Sequence, residues 1–209
     1  MYGAPKTLYV RGNINILNGE NIAIIGCRKA SEYGAKAARY FAYNLAKKGK
    51  NIVSGLAKGI DSYAHIGNLA AILENECTKE KENKNTINYG KPIAVVGSGL
   101  DIIYPKENEI LQRKILDCGG AIISEYPLGT KPNRMNFPAR NRIISGISKG
   151  VLVIEAKEKS GTLITVDFAL EQGRDVYSIP GNINSLNSVG TNDLIKQGVK
   201  MITRFEEIE

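Results

Sequence analysis

Short apolar runs along this chain alternate with segments whose apolar residues recur with helical spacing. The apolar runs predict β-strands at residues 21–25, 51–53, 92–96, 121–123, 151–154, 176–179 and 199–202. The intervening segments predict helices at residues 31–48 (with Ser31 as N-cap), 60–73, 107–116, 138–147, 163–171 and 193–197. Strands that are almost entirely apolar, each followed by a helix, are typical of a mostly parallel sheet covered on both faces. The pattern therefore predicts an α/β, doubly wound fold.

Residues 74–91 interrupt this alternation. The segment is charged and rich in Asn, with little periodicity. Because strands and helices alternate on both sides of it, we expect a variable surface loop within a single domain that spans residues 1–209. The apolar runs are far shorter than the roughly 18–20 residues of a membrane helix, and the N-terminus lacks a secretory pattern. We therefore expect a cytoplasmic protein without a membrane segment.

Basic charge is concentrated in two parts of the sequence. The chain has 28 Lys and Arg against 21 Asp and Glu, a net charge of +7. Residues 28–58 hold eight basic residues and one acid, and residues 131–149 hold five basic residues and no acid. The remainder of the chain is consequently net negative. Such segregation of positive charge is expected of a surface that binds nucleic acid.

The residue pattern gives little support for a metal site or for a nucleophilic active site. The cysteines are widely spaced and are expected to be reduced thiols: Cys27, Cys77 and Cys118. His65 is the single histidine, and it shares one helical turn with Asp61 and Ser62 without a Gly-x-Ser-x-Gly elbow. We expect His65 to be a packed or surface helix residue. The sequence predicts no metal site, no cofactor and no catalytic residues.

Ligands of doubly wound sheets bind at the carboxyl ends of the strands, so the turns there are candidate sites. The first turn runs from Gly26 to Ser31 and carries Arg28, and a glycine, a helix N-terminus and a forked cation together suit a phosphate. An ordinary turn with a solvated Arg would have the same sequence. The second turn places Lys58 among glycines in a similar way. In the third turn Ile102 occupies a position where a dinucleotide fingerprint needs Gly or Ala, so no dinucleotide site is expected.

The segment from 131 to 149 is the most informative. It combines one aromatic ring with an amide and two guanidinium groups, at Phe137, Arg140, Asn141 and Arg142. Single-stranded nucleic acids bind to such mixtures, with cations along the backbone and a ring against the bases. Alternatively, Phe137 belongs to the core and the arginines pair with Glu125 and Glu155. The residues by themselves leave both interpretations open.

Three motifs give the chain a resemblance to a known family. They are Gly-x-Gly-Leu-Asp-x-x-Tyr-Pro at 97–105, Phe-Pro-x-Arg-Asn-Arg-Ile-Ile at 137–144 and Glu-Gln-Gly-Arg-x-Val-x-x-x-Pro-Gly at 171–181. With shorter stretches between them, the matches run in order from about residue 9 to residue 202. The chain resembles the Rossmann-like domain of the DprA/Smf family, DNA processing protein A.

The resemblance implies a non-enzymatic protein that binds and protects single-stranded DNA, helps to load RecA, and acts in DNA processing, recombination and natural transformation. It also implies a homodimer. The family's Gly-Ser-Arg element falls on Gly26, Cys27 and Arg28. The expected DNA-binding residues are Gly26, Cys27, Arg28, Lys29, Ser31, Lys58, Arg134, Phe137, Arg140, Asn141 and Arg142.

The chain departs from the family in three respects. Cys27 replaces the usual serine, a better hydrogen-bond donor, and residues 74–91 lengthen a crossover that is normally compact. The N-terminal helical and C-terminal winged-helix-like domains of many members are expected to be missing from this chain. The alternative hypothesis is a nucleotide-binding or nucleotide-hydrolysing enzyme related to lysine-decarboxylase-like phosphoribohydrolases. However, residues 180–183 are Pro-Gly-Asn-Ile, and the motif of that family is Pro-Gly-Gly-x-Gly-Thr.

Overall fold

Eight strands form one sheet in a computed structural model that describes residues 3–82 and 88–208, with side chains omitted at 78–82. The strands are β1 Tyr9–Gly12, β2 Asn21–Gly26, β3 Asn51–Ser54, β4 Pro92–Val96, β5 Ala121–Ser124, β6 Gly150–Glu155, β7 Asp175–Ser178 and β8 Lys200–Met201. The helices are α1 Glu32–Lys47, α2 Ile60–Glu82, α3 Glu109–Asp117, α4 Asn136–Gly146, α5 Gly161–Glu171 and α6 Val189–Lys196. The strand order is β1-β5-β4-β3-β2-β6-β7-β8, and the pairing is parallel except between β1 and β5.

The apolar strands have helices on both faces because alternate side chains of a strand point to opposite sides. In β2, Ile22 and Ile24 pack into a cluster with residues of α1 and α2. Ala23 and Ile25, between them, pack into a second cluster with residues of α4, α5 and α6. This confirms the predicted α/β, doubly wound architecture.

The direction in which the chain winds reverses between β2 and β6. From β2 the sheet grows outward through β3, β4 and β5, whereas from β6 it grows the other way through β7 and β8. The loops that follow β2 and β6 therefore diverge, and they leave a crevice at the carboxyl ends of these two strands. The first turn begins at Gly26, which lies opposite Glu155 at a shift in the β2–β6 register. The topology thus brings the end of β2 and the start of α1 to the edge where ligands bind in such folds.

Helix α1 begins where the sequence predicts. The Ser31 side chain caps it, with Oγ accepting a hydrogen bond from the Gly34 main-chain N–H at 3.0 Å. The carboxyl end of β2 and the N-terminus of α1 are therefore separated only by residues 27–31. This short connection fixes the direction in which Arg28 leaves the sheet.

Three elements differ from the sequence prediction by more than two residues, and one of them is α6, which begins at Val189 and not at residue 193. Strand β1 was not predicted, because it has four half-exposed or exposed residues and pairs with one neighbour only, β5. The loop predicted at 74–91 begins too early, since α2 continues to Glu82, and residues 83–87 of that loop lie outside the described residues. Just beyond the predicted end at residue 73, Glu74 contacts Tyr43 and Lys47 of α1. Among the described residues, no helix is long and apolar enough to cross a membrane.

Candidate nucleic-acid interface

A cleft opens at the carboxyl edge of the sheet. It consists of two adjoining cavities of about 740 and 150 Å³, and both are lined by Arg28, Ala57, Tyr104, Phe137 and Arg140. Of the other predicted site residues, the larger cavity includes Gly26, Cys27, Lys29, Arg134 and Asn141. The smaller cavity includes Lys58. The structure thus brings together, around one cleft, residues from the two basic segments of the sequence.

The accessible charge of this cleft is positive. Its exposed basic residues are Arg28, Lys29, Lys58, Arg134 and Lys157. Among the described residues that line it, the one acid is Asp61, which is only 8% exposed. Lys58 also pairs with Glu107 at 2.5 Å, but both side chains are more than half exposed, and such pairs contribute little. An anionic polymer would therefore meet several exposed cations along the cleft.

Arg28 projects from the first turn, which is hydrogen-bonded to the second turn. The Ile60 main-chain N–H donates to the Cys27 carbonyl at 3.1 Å. Gly59 has φ +81°, and an added Cβ there would collide with the carbonyl oxygens of Cys27 and Arg28. Only glycine adopts this conformation readily and permits this approach of the two turns. The guanidinium of Arg28 then lies over the Phe137 ring, 5.3 Å from its centroid.

An aromatic pair forms part of the cleft wall. The ring centroids of Phe137 and Tyr104 are 5.6 Å apart, with an interplanar angle of 30°. Phe137 is partly buried, and a Cβ added to Gly97 would lie 3.1 Å from its Cδ1. Tyr104 is 44% exposed. Phe137 is therefore neither a core residue nor a fully accessible ring.

Arg140 forms the floor of the cleft and is only 4% exposed. Its Nη1 donates to the Val95 carbonyl, and its Nε has no hydrogen-bond partner among the described residues. Burial lowers the pKa of Arg140 to about 10, an effect that Asp61 partly opposes. Burial likewise raises the pKa of Asp61, while Arg140 and the Ala57 main-chain N–H favour its ionised form. Arg140 remains a cation near neutral pH, placed beneath the exposed ones.

Two predicted site residues do not line the cleft. Arg142 forms two hydrogen bonds of 2.7 Å to the carboxylate of Glu125, and its side chain is 18% exposed. Ser31 is engaged with Glu155, which accepts from its main-chain N–H at 3.0 Å and from its hydroxyl. The structure therefore contains the Arg142–Glu125 ion pair of the alternative interpretation. Glu155 instead accepts hydrogen bonds from Ser31 and Asn187, and no arginine in the described part of the chain pairs with it.

Cys27 and Asn141 line the cleft without being free groups at its surface. The Cys27 side chain is buried, and burial raises the pKa of its thiol. The Asn141 side-chain amide donates to the Gly161 carbonyl at 3.3 Å. Cys27 thus contributes to the shape of the cleft, and Asn141 contacts the first residue of α5.

His65 is completely buried in α2, as a packed helix residue. Neither ring nitrogen has a hydrogen-bond partner among the described residues, and burial lowers the pKa of His65 to about 3. Within the same part of the chain, no three His, Cys, Asp or Glu side chains are grouped to hold a metal ion.

Among the lining residues that sequence reasoning missed are an aromatic residue, Tyr104, and an exposed cation, Lys157. Tyr104 lies in the motif at 97–105, in the turn that follows β4. A search for aromatic residues in each turn that follows a strand would have found it. Lys157 follows β6 closely but lies outside both basic segments, so charge segregation did not mark it.

Comparisons with known proteins show the family to which this chain belongs. A family model described as DNA recombination-mediator protein A matches residues 1–209. Protein Smf of Escherichia coli is 45% identical over 98% of this chain, which spans 50% of that protein. The crystal structure of DNA processing protein A from Streptococcus pneumoniae superimposes with a TM-score of 0.85 at 42% identity, over 100% of this chain and 67% of that one.

A structure from Helicobacter pylori, titled for the single-stranded DNA binding mode of its DNA processing protein A, has a TM-score of 0.81 at 30% identity. It aligns with 97% of this chain and 85% of its own. The chain thus spans between half and about two thirds of the first two relatives. A whole-chain match, two relatives above 40% identity and the same fold lead to one conclusion: this chain belongs to the DNA recombination-mediator protein A family.

Proposed function

We propose that this chain binds single-stranded DNA in the cleft at the carboxyl edge of the sheet and serves as a recombination mediator in DNA processing and natural transformation. The observation that carries the proposal is the lining of the cleft. Its exposed charged residues are all basic, and they surround an aromatic pair. The similarity to the single-stranded DNA-binding DNA processing protein A of H. pylori supports the binding of single-stranded DNA.

The roles of the cleft residues follow from their chemistry. Arg28, Lys29 and Arg134 are exposed cations that can contact successive phosphates, with Lys58 and Lys157 at either side. At Gly26 an added Cβ would lie 2.7 Å from Ile60 Cγ1 and 2.9 Å from the Glu155 carbonyl oxygen, so this glycine allows the first turn to pack closely against α2 and the end of β6. The aromatic pair offers an apolar surface to bases, which is accessible only to bases that are not stacked in a duplex. The cleft therefore favours single strands.

The further roles of the family are part of the same proposal. Binding in the cleft would cover phosphates and bases and so protect the strand, and we propose that the protein then helps to load RecA. We also propose a homodimer, on the basis of family membership. No catalytic step is part of this mechanism, because holding and presenting a strand requires none.

Fluorescence anisotropy with labelled oligo-dT, a matched duplex and free nucleotides, each over a salt series, tests the binding proposal. We expect oligo-dT to bind more tightly than the duplex, with affinity that falls as salt rises. Tight binding of a free nucleotide accompanied by its turnover would instead favour the nucleotide-processing enzyme. For the mediator role, the rate of RecA filament formation on single-stranded DNA should increase when the protein is added, and an unchanged rate would contradict it.

A further inference from the structure

We propose that the outer face of helix α1 is a second contact surface for the single strand, outside the cleft. This surface, called here the α1 stripe, consists of Tyr33, Lys36, Tyr40, Tyr43 and Lys47. The inference rests on the proposed single-stranded DNA binding. It adds a path on which the strand continues from the cleft toward the amino edge of the sheet, where β3 begins.

The cleft accounts for only part of the first basic segment. Of the eight basic residues at 28–58, those that line the cleft are Arg28, Lys29 and Lys58. The other five lie on α1 or just after its end: Lys36, Arg39, Lys47, Lys48 and Lys50. Positive charge in this segment therefore extends away from the cleft along one helix.

The members of the stripe share one side of α1 because a helix repeats every 3.6 residues. They follow at intervals of three or four residues, so rings and ammonium groups are interleaved over about 21 Å. The opposite side of the helix is buried against the sheet, through Ala38, Phe41, Ala42 and Leu45. The Tyr43 ring is half-buried, and Lys47 Nζ lies 5.1 Å from its centroid. The rings that are open to a base are therefore those of Tyr33 and Tyr40.

These two rings are held by the protein on one side and exposed on the other. Tyr33 is 51% exposed, and its hydroxyl donates to the Pro180 carbonyl at 2.7 Å. Tyr40 is 45% exposed, and it makes edge-to-face contacts with Phe41 and Phe205, at centroid distances of 5.3 and 6.1 Å. Little conformational entropy is therefore lost when a base stacks on either ring. Two turns of helix separate them, about 10.5 Å along the axis.

The charge of this surface is complementary to a phosphate backbone. Lys36 pairs with Glu32 at 2.6 Å and Lys47 with Glu74 at 3.4 Å, but these pairs are exposed and contribute little. Within the described part of the chain, two further cations of the segment form no ion pair: Arg39 and Lys48. The five cations of α1 and its C-terminal turn outnumber the two acids that pair with them. A single strand would meet the combination of cations and rings that such strands bind.

The stripe is continuous with the cleft. The exposed cations of the first turn, Arg28 and Lys29, lie within residues 27–31, and α1 begins directly after them. The helix has 16 residues and is therefore about 24 Å long. At the 3.4 Å spacing of stacked nucleotides, this length corresponds to at most about seven nucleotides. The occupant that the stripe fits is thus a further stretch of the strand already held in the cleft.

The test measures anisotropy of oligo-dT of about six nucleotides, which fills only the cleft, and of about twenty nucleotides, which also reaches α1. Tyr40→Leu should weaken the longer oligonucleotide about 5- to 150-fold, the factor for one stacked base, and leave the shorter one unchanged. Tyr40→Phe keeps the ring and should bind both as wild type does. The double variant Lys36→Ala/Lys48→Ala should lower the salt slope by about 1.4 for the longer oligonucleotide only, at roughly 0.7 for each phosphate.

A matched control separates position from net charge. Arg113→Ala/Lys114→Ala removes two exposed cations of α3, outside the stripe and the cleft, and should leave both salt slopes unaltered. Arg28→Ala, in the cleft, should weaken both lengths. Melting temperatures identify a Tyr40→Leu variant that fails to fold, and the double lysine variant, which changes only exposed side chains, then carries the test.

Photo-cross-linking locates the strand directly. A bromodeoxyuridine-substituted oligonucleotide of about twenty nucleotides should cross-link to α1, at Tyr33 or Tyr40. Cross-links confined to the cleft, or wild-type affinity and salt slope for the longer oligonucleotide in the α1 variants, would overturn the inference and leave binding in the cleft intact. An equal loss for both lengths in the α1 variants would also overturn it. Absence of binding of either oligonucleotide to wild type would refute the proposed function itself.

Discussion

Replacement of Arg28 by alanine is the sharpest test of where the DNA backbone lies. The residue is exposed, its guanidinium contacts the Phe137 ring, and it lies on the turn between β2 and α1. Arg28→Ala removes one cation from the cleft and leaves the apolar core untouched. The change should therefore act on binding and hardly at all on folding.

The magnitudes follow from the contacts that are lost. A hydrogen bond between a guanidinium and a phosphate contributes about 1.5–3 kcal/mol, so affinity for single-stranded DNA should fall about 10- to 150-fold. The slope of log affinity against log salt should shrink by roughly 0.7, the value for one phosphate neutralised on a single strand. Loss of an exposed cation–π contact costs about 0.5–1 kcal/mol of stability. The fall in affinity should be similar for all base sequences.

The assay is anisotropy of labelled oligo-dT over a salt series, with melting temperatures recorded beside it. Arg113→Ala is the matched control, since Arg113 is an exposed α3 residue that pairs with Glu109 at 3.8 Å and does not line the cleft. It changes the net charge equally and should leave the salt slope unaltered. Arg28→Lys should keep the slope and recover part of the affinity, because the charge stays but the forked geometry is lost.

Two results would refute this reasoning. Wild-type affinity and an unchanged slope in Arg28→Ala would show that the DNA backbone does not reach the first turn. An equal loss in Arg113→Ala would show that net charge, and not the position of Arg28, determines binding.

Three further predictions concern other parts of the molecule. Arg142→Ala should lower the free energy of unfolding, measured in urea, by about 1–3 kcal/mol, because it leaves the partly buried Glu125 carboxylate unpaired. The salt slope of DNA binding should stay as in wild type. A slope reduced as in Arg28→Ala would instead make Arg142 a DNA contact. The unfolded state protonates His65 below its ordinary pKa of 6.5, while the folded state does so only near 3, so stability should fall as pH drops through this interval. His65→Leu should remove up to about 1.4 kcal/mol per pH unit of that fall, and identical pH profiles in urea unfolding would contradict the burial of a neutral imidazole. Light scattering at tens of micromolar should show a dimer, and monomer alone would count against the homodimer.

The elements of the fold were largely predictable from the sequence. Strands β2, β4, β5 and β6 are mostly apolar, a pattern typical of strands covered on both faces, so it predicts a buried parallel sheet without knowledge of the neighbouring elements. The features that the sequence did not predict depend on contacts with other elements. Strand β1 has no buried residue and pairs with the otherwise free edge of β5, and Glu74, just past the predicted end of α2, contacts Tyr43 and Lys47 of α1.

Segregated basic residues and glycine turns in the sequence indicated a phosphate-binding edge, but only the tertiary structure separated the roles of the arginines. Arg140 and Arg142 lie on the same helix, two residues apart in sequence, and they point to different surroundings. One lies buried at the cleft floor, while the other pairs with Glu125, which directly follows β5. Tyr104 likewise meets Phe137 only because the turn after β4 and the start of α4 converge at one edge of the sheet. Composition and periodicity report burial and charge along the chain, whereas the partner of each side chain depends on contacts between distant segments, and these contacts exist only in the folded molecule.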